Sequence, residues 1–149
     1  MKKFDLVPDD YLVIGGRTFS RIKACIDFTT ASGKGVKAGD LGGYVEYEDN
    51  LSHDGKAWVY GDAWVTGKAR VYGDALVYGK AWVYGDARVY GKAWVYGDAW
   101  VYGDARVSGD ARVYGKARVS GKARVYGDAS YDIEAFERMT LYGTGGGRG

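Results

Sequence analysis

From Gly55 to Tyr126 the chain repeats a block of six residues twelve times: Gly, then Asp or Lys, then Ala, any residue, Val and usually Tyr. In Gly61-Asp62-Ala63-Trp64-Val65-Thr66, the Ala-x-Val run alternates with period two and predicts a short strand of about four residues. Ala63 and Val65 share one face; Trp64 and Thr66 share the other. Gly and the charged residue after it separate successive strands and predict a corner. A strand and a corner every six residues predict a winding coil, the signature of a solenoid. Ala and Val never vary in the twelve copies, so they should line a narrow interior. Trp, Arg and Tyr are too large to fit there in every copy and should stand outside.

The fourth hexad position sets the length of one coil. It reads Trp58, Trp64, Arg70, Leu76, Trp82, Arg88, Trp94, Trp100, Arg106, Arg112, Arg118 and Arg124, and every third residue is Arg. Three hexads, eighteen residues, therefore make one coil of a triangular prism. Corner charges agree: of ten pairs eighteen residues apart, from Lys56/Asp74 to Asp110/Asp128, eight are opposite in sign. Stacked about 4.8 Å apart, they should favour the correct register, although exposed pairs contribute only about 0–1 kcal/mol each. The expected fold is an all-β, single-stranded parallel β-helix. Residues 1–42 form an N-terminal β-hairpin cap, 43–130 the repeats, and 131–149 a C-terminal cap and Gly-rich tail.

The hairpin is read from Tyr11-Leu12-Val13-Ile14, a Gly15-Gly16 turn and the run from Arg17 to Phe28, with Ile22, Ala24, Ile26 and Phe28 on one face. Solenoid ends expose an open strand edge, so a cap is expected there. Backward extension of the hexad phase puts Val45 and Leu51 in the Ala slot and Tyr47 and His53 in the Val slot. Ile133, Phe136, Met139 and Leu141 suit a segment covering the far end, either helix or strand.

Repeats of the Val59-Tyr60-Gly61-Asp62-Ala63 type resemble the hexapeptide-repeat proteins, which implies a left-handed parallel β-helix. The stretch Gly39-Asp40-Leu41-Gly42-Gly43-Tyr44-Val45-Glu46, with Asp49-Asn50-Leu51-Ser52, resembles phage and bacterial proteins described as polymer-forming or putative transferases. The resemblance implies trimers and, for an enzyme, a histidine base with a coenzyme A thioester as acyl donor. The one histidine, His53, is the only candidate base, and a partly buried histidine at a cap junction is the plainer reading. Carbonic-anhydrase relatives need three histidines for their metal, so one histidine excludes that site. Cys25 has no neighbouring histidine and reads as a structural thiol. Gly33-Lys34-Gly35 lacks the spacing of a phosphate loop. With no interruption of the repeats to build a cleft, a non-catalytic binding and self-associating protein without cofactor or metal is the primary expectation.

The variable positions give that expectation its residues. Trp58, Trp64, Trp82, Trp94 and Trp100, with Tyr84, Tyr96 and Tyr102, make two aromatic faces suited to a homo-oligomer, a trimer by resemblance, or to a protein partner. Arg70, Arg88, Arg106 and Arg124 form a ladder of like charges that an anion or nucleic acid would relieve. The alternative is that their stems lie over Tyr rings with the heads in water. The net charge of +2 gives nucleic acid no general support. The chain starts Met1-Lys2-Lys3-Phe4-Asp5 without an apolar leader, contains no membrane-length apolar run and has a single cysteine. A soluble cytoplasmic protein is expected.

Overall fold

The computed structural model describes residues 2–131, 134–135 and 140–144. Every Ala and Val of the twelve hexads is 0% exposed and together they form one continuous core. The first eleven hexads each form a strand of only two residues, from Trp58–Val59 to Arg118–Val119, and the twelfth opens the longer strand Arg124–Asp128. The two-residue strands are shorter than the alternation predicts, yet coil-to-coil bonding runs on through the corners. The N–H groups of Asp62, Trp64 and Thr66 donate to the carbonyls of Gly79, Ala81 and Val83, each at 2.9 Å. The Ala81 N–H turns back to the Tyr78 carbonyl at 3.4 Å and closes the corner. The corner demands glycine. At Gly91 φ is +67°, and a Cβ would lie 2.8 Å from the backbone nitrogen of Gly109 in the next coil.

The eighteen-residue coil stacks the strands in three parallel sheets. The tryptophan face pairs Trp64, Trp82, Trp100 and Arg118 in register. The arginine face pairs Arg70, Arg88, Arg106 and Arg124. The third face pairs Trp58, Leu76, Trp94 and Arg112. The chain is thus an all-β solenoid.

The first hairpin forms where the sequence places it, from β1 (Phe4–Ile14) and β2 (Arg17–Ala24). Strand β2 ends at Ala24, earlier than the expected run to Phe28, because the Cys25 N–H turns to the Lys3 carbonyl at 2.7 Å. Phe28 instead starts a small second hairpin of β3 (Phe28–Thr29) and β4 (Gly35–Val36). Strand β5 (Leu41–Val45) pairs antiparallel with β2 and parallel with Trp64–Val65, joining the hairpin to the tryptophan face.

The phase of this first coil differs from the backward extension of the hexads. Val45 pairs with Val65 and Leu51 with Val71, twenty residues apart, so both occupy the Val slot. Two extra residues between Leu51 and Trp58 cause the shift. Tyr47 is consequently exposed, and His53 lies in a corner, not an interior slot. At the other end the backbone goes on winding: Ser130–Tyr131, Glu134–Ala135 and Thr140–Thr144 pair parallel with the coil beneath. Ile133, Phe136, Met139 and the tail beyond Thr144 lie outside the described residues. Among the described residues no helix is long and apolar enough to cross a membrane.

Candidate anion-binding groove

The four arginines stand on successive strands of one sheet, about 4.8 Å apart, with exposed side chains. They form one wall of an open groove of about 760 Å³ along the prism. Corner residues Lys68, Asp86, Asp104 and Lys122 form the other wall. In all, six cationic side chains line the groove against three carboxylates, the third being Asp49.

The lower end is built by residues that the repeat pattern does not mark. A short 3-10 turn, Glu48–Asn50, brings Tyr47, Asp49 and Asn50 to the groove. Asn50 is 1% exposed and holds the turn to the prism. Its Oδ1 accepts the N–H groups of Glu46 and Tyr47 at 3.0 and 2.7 Å, and its Nδ2 donates to the carbonyls of Gly67 and Ala69 at 3.0 and 2.8 Å. The sequence signal was Asp49-Asn50, a turn-forming pair preceding the regular repeats.

The arginines of the other two faces are differently placed. The guanidinium of Arg112 lies 3.7 Å from the Trp94 ring centre and donates to the Asp110 carbonyl at 2.9 Å. Arg118 lies 4.0 Å from the Trp100 ring centre and donates to three carbonyls, those of Asp98, Lys116 and Ala117. By contrast, among the described residues no carboxylate, carbonyl or aromatic ring engages the guanidinium of Arg70, Arg88, Arg106 or Arg124. Tyr72 and Tyr90, beside Arg70 and Arg88, stack on each other at 4.9 Å. Nor do the corner charges close ion pairs within 4.0 Å among the described residues. The expected corner stabilisation therefore acts only at longer range.

The aromatic positions divide by coil. Trp64, Trp82 and Trp100 stack at 5.2 and 5.3 Å, with Phe19 below Trp64 at 5.0 Å. Trp82 is exposed; Trp64, Trp94 and Trp100 are half-buried, as are Tyr84, Tyr96 and Tyr102. Trp58 is not an outer residue: Phe28 packs edge-on against it and it is 1% exposed. Leu76 above it is fully buried. The folded-back segment carrying β3 and β4 covers this part of the third face, so Trp58 is unavailable to a partner.

His53 is held at both ring nitrogens. Nδ1 accepts the Lys3 N–H at 3.0 Å, Nε2 lies 2.7 Å from Glu48 Oε2, and the ring stacks on Phe4 at 4.2 Å. Lys3 itself plugs the end of the prism and donates to the Ala57 carbonyl at 2.5 Å; burial pushes its ammonium down to about 8. Burial raises the Cys25 thiol above its ordinary value, as does its hydrogen bond to Asp5 at 3.3 Å. That is opposite to the shift of an activated nucleophile. Among the described residues no cluster of three or more His, Cys, Asp or Glu could hold a metal.

No curated protein matches the chain. Residues 69–85, 81–97, 99–115 and 105–121 match the YdcK beta solenoid repeat, and these segments carry three rungs of the ladder, Arg70, Arg88 and Arg106. This part of the chain is similar to that repeat, in keeping with the solenoid fold.

Proposed function

We propose that this solenoid is a non-catalytic binding protein whose ligand is a phosphate-bearing polyanion laid along Arg70, Arg88, Arg106 and Arg124. The carrying observation is the ladder, unpartnered among the described residues, beside two arginines of the same repeat that lie on Trp rings and donate to carbonyls. Four like charges on adjacent strands repel, and the three carboxylates of the groove, none within 4.0 Å of a rung, do not fully offset that repulsion. A line of anionic groups would. Guanidinium suits phosphate because its fork of donors matches two oxygens at once. The groove is long and open, and among the described residues no loop closes it, which favours a linear ligand over a small metabolite. The engagement of both His53 ring nitrogens, by the Lys3 N–H and by Glu48, supports the binding reading over a catalytic one.

The test is binding of fluorescently labelled inorganic polyphosphate and of a labelled single-stranded oligonucleotide, followed by anisotropy at low salt. The wild-type chain should bind at least one of them. Replacing both central rungs, Arg88→Glu and Arg106→Glu, should weaken that binding at least about a hundredfold, as expected when four charge-assisted contacts become two with repulsion between. Binding unchanged by the double replacement, or no binding to either probe, would reject the proposal.

A further inference from the structure

The three ridges of the prism carry different charge sequences. The ridge between the third face and the tryptophan face reads Asp62, Lys80, Asp98, Lys116, alternating over four consecutive coils. Reversed, this sequence is its own complement. Two copies laid antiparallel oppose Asp62 to Lys116 and Lys80 to Asp98, each pair occurring twice. Among the described residues none of these four closes an ion pair within its own chain.

The same ridge separates two aromatic ladders. On one side stand Trp64, Trp82 and Trp100, stacked at 5.2 and 5.3 Å. On the other, Tyr60, Tyr78, Tyr96 and Tyr114 stack at 4.8, 4.9 and 5.4 Å. Trp82, at 38% the most exposed tryptophan, lies at mid-height. Trp and Tyr, residue types enriched in interface hot spots, thus flank the complementary charges of the ridge on both sides.

We infer that a second copy of this chain packs antiparallel along this ridge, about a two-fold axis passing between the coils of Lys80 and Asp98. That axis faces Trp82 with Trp100 of the second copy, and Trp64 with its Arg118, the residue that already lies over Trp100 within the chain. Charge fixes the direction, because a parallel pair would set every ridge residue against its like. It also selects the ridge. Lys68, Asp86, Asp104 and Lys122 read the same in both directions, so reversal opposes like to like. The remaining ridge, Lys56 to Asp128, complements itself only after sliding one coil, and the adjoining Trp58 and Leu76 are buried. The expected assembly is a two-fold dimer in place of the trimer that family resemblance suggests, with both arginine grooves left open.

Sedimentation velocity of the full chain at micromolar concentration tests this, with circular dichroism confirming that each variant is folded. The wild type should sediment as a dimer. Lys80→Asp and Asp98→Lys should each weaken association about tenfold or more, since a two-fold contact doubles every reversed pair. The double variant, carrying both changes, restores opposite signs across the axis and should dimerise like the wild type. Arg88→Glu with Arg106→Glu should leave the dimer intact, which separates this inference from the groove. A wild-type monomer, a trimer, an assembly indifferent to the single reversals, or a double variant as weak as the singles would each overturn it.

Discussion

At the scale of single residues, the fourth slot of the hexad does different work in different coils. Trp58 and Trp82 follow the same Gly-Lys-Ala triplet and precede the same Val-Tyr pair, yet one is 1% and the other 38% exposed. The difference comes from Phe28, which is remote in sequence and packs edge-on against Trp58. Trp58→Ala should therefore leave a cavity and cost about 3–5 kcal/mol of stability. Trp82→Ala should cost less than half as much, since water already reaches its ring. Chemical denaturation of the two variants checks the contrast, and equal losses would contradict the assignment of Trp58 to the interior. Period-two alternation told inside from outside for every Ala and Val because those slots face only each other. It could not foresee Trp58 and Leu76, whose burial depends on a segment with no repeat.

Among elements, one polar anchor between the β1–β2 hairpin and the first coil is built on Glu46. Arg17 Nε donates to Glu46 Oε2 at 2.9 Å, and the Gly67 N–H donates to Glu46 Oε1 at 2.8 Å. These contacts, the Arg17 hydrogen bond first, hold the Glu46 carboxyl below its ordinary value of 4.5. A lowered folded value means the unfolded chain binds more protons as the pH drops below the ordinary range. The stabilisation is complete above 4.5 and is lost as pH falls through the folded value. The wild type should lose stability in that acid window, and Glu46→Gln should flatten this part of the loss while lowering stability at neutral pH. Thermal melts at stepped pH measure both; parallel curves for the two proteins would contradict the anchor. The hairpin itself was legible, because Gly15-Gly16 sits between two apolar runs. The phase of the first coil was not: two added residues after Leu51 preserve the look of a degenerate hexad while moving His53 from an interior slot to a corner.

Over the whole molecule, the repeat fixes a rigid prism and its variable slots give three unlike faces. The eighteen-residue superperiod in Arg placement was enough to align the four arginines, and the structure stacks them in register. What the sequence could not supply was their company. Arg112 and Arg118 occupy the same slot as the ladder arginines, and only the structure distinguishes guanidinium groups lying on Trp94 and Trp100 from groups facing an open groove. The groove's lower end, built by Asn50 and the turn it holds, likewise depends on hydrogen bonds that no local pattern announces.

The salt dependence of polyanion binding measures the ladder most directly. Each phosphate neutralised on a single strand contributes about −0.7 to the slope of log K against log salt, so four rungs give about −2.8. Between 50 and 200 mM salt, single-strand affinity should therefore fall about 50-fold, and Arg88→Glu with Arg106→Glu should reduce the slope by half or more. A shallow slope near zero, or a steep one that the double replacement leaves unchanged, would contradict binding through the arginine groove.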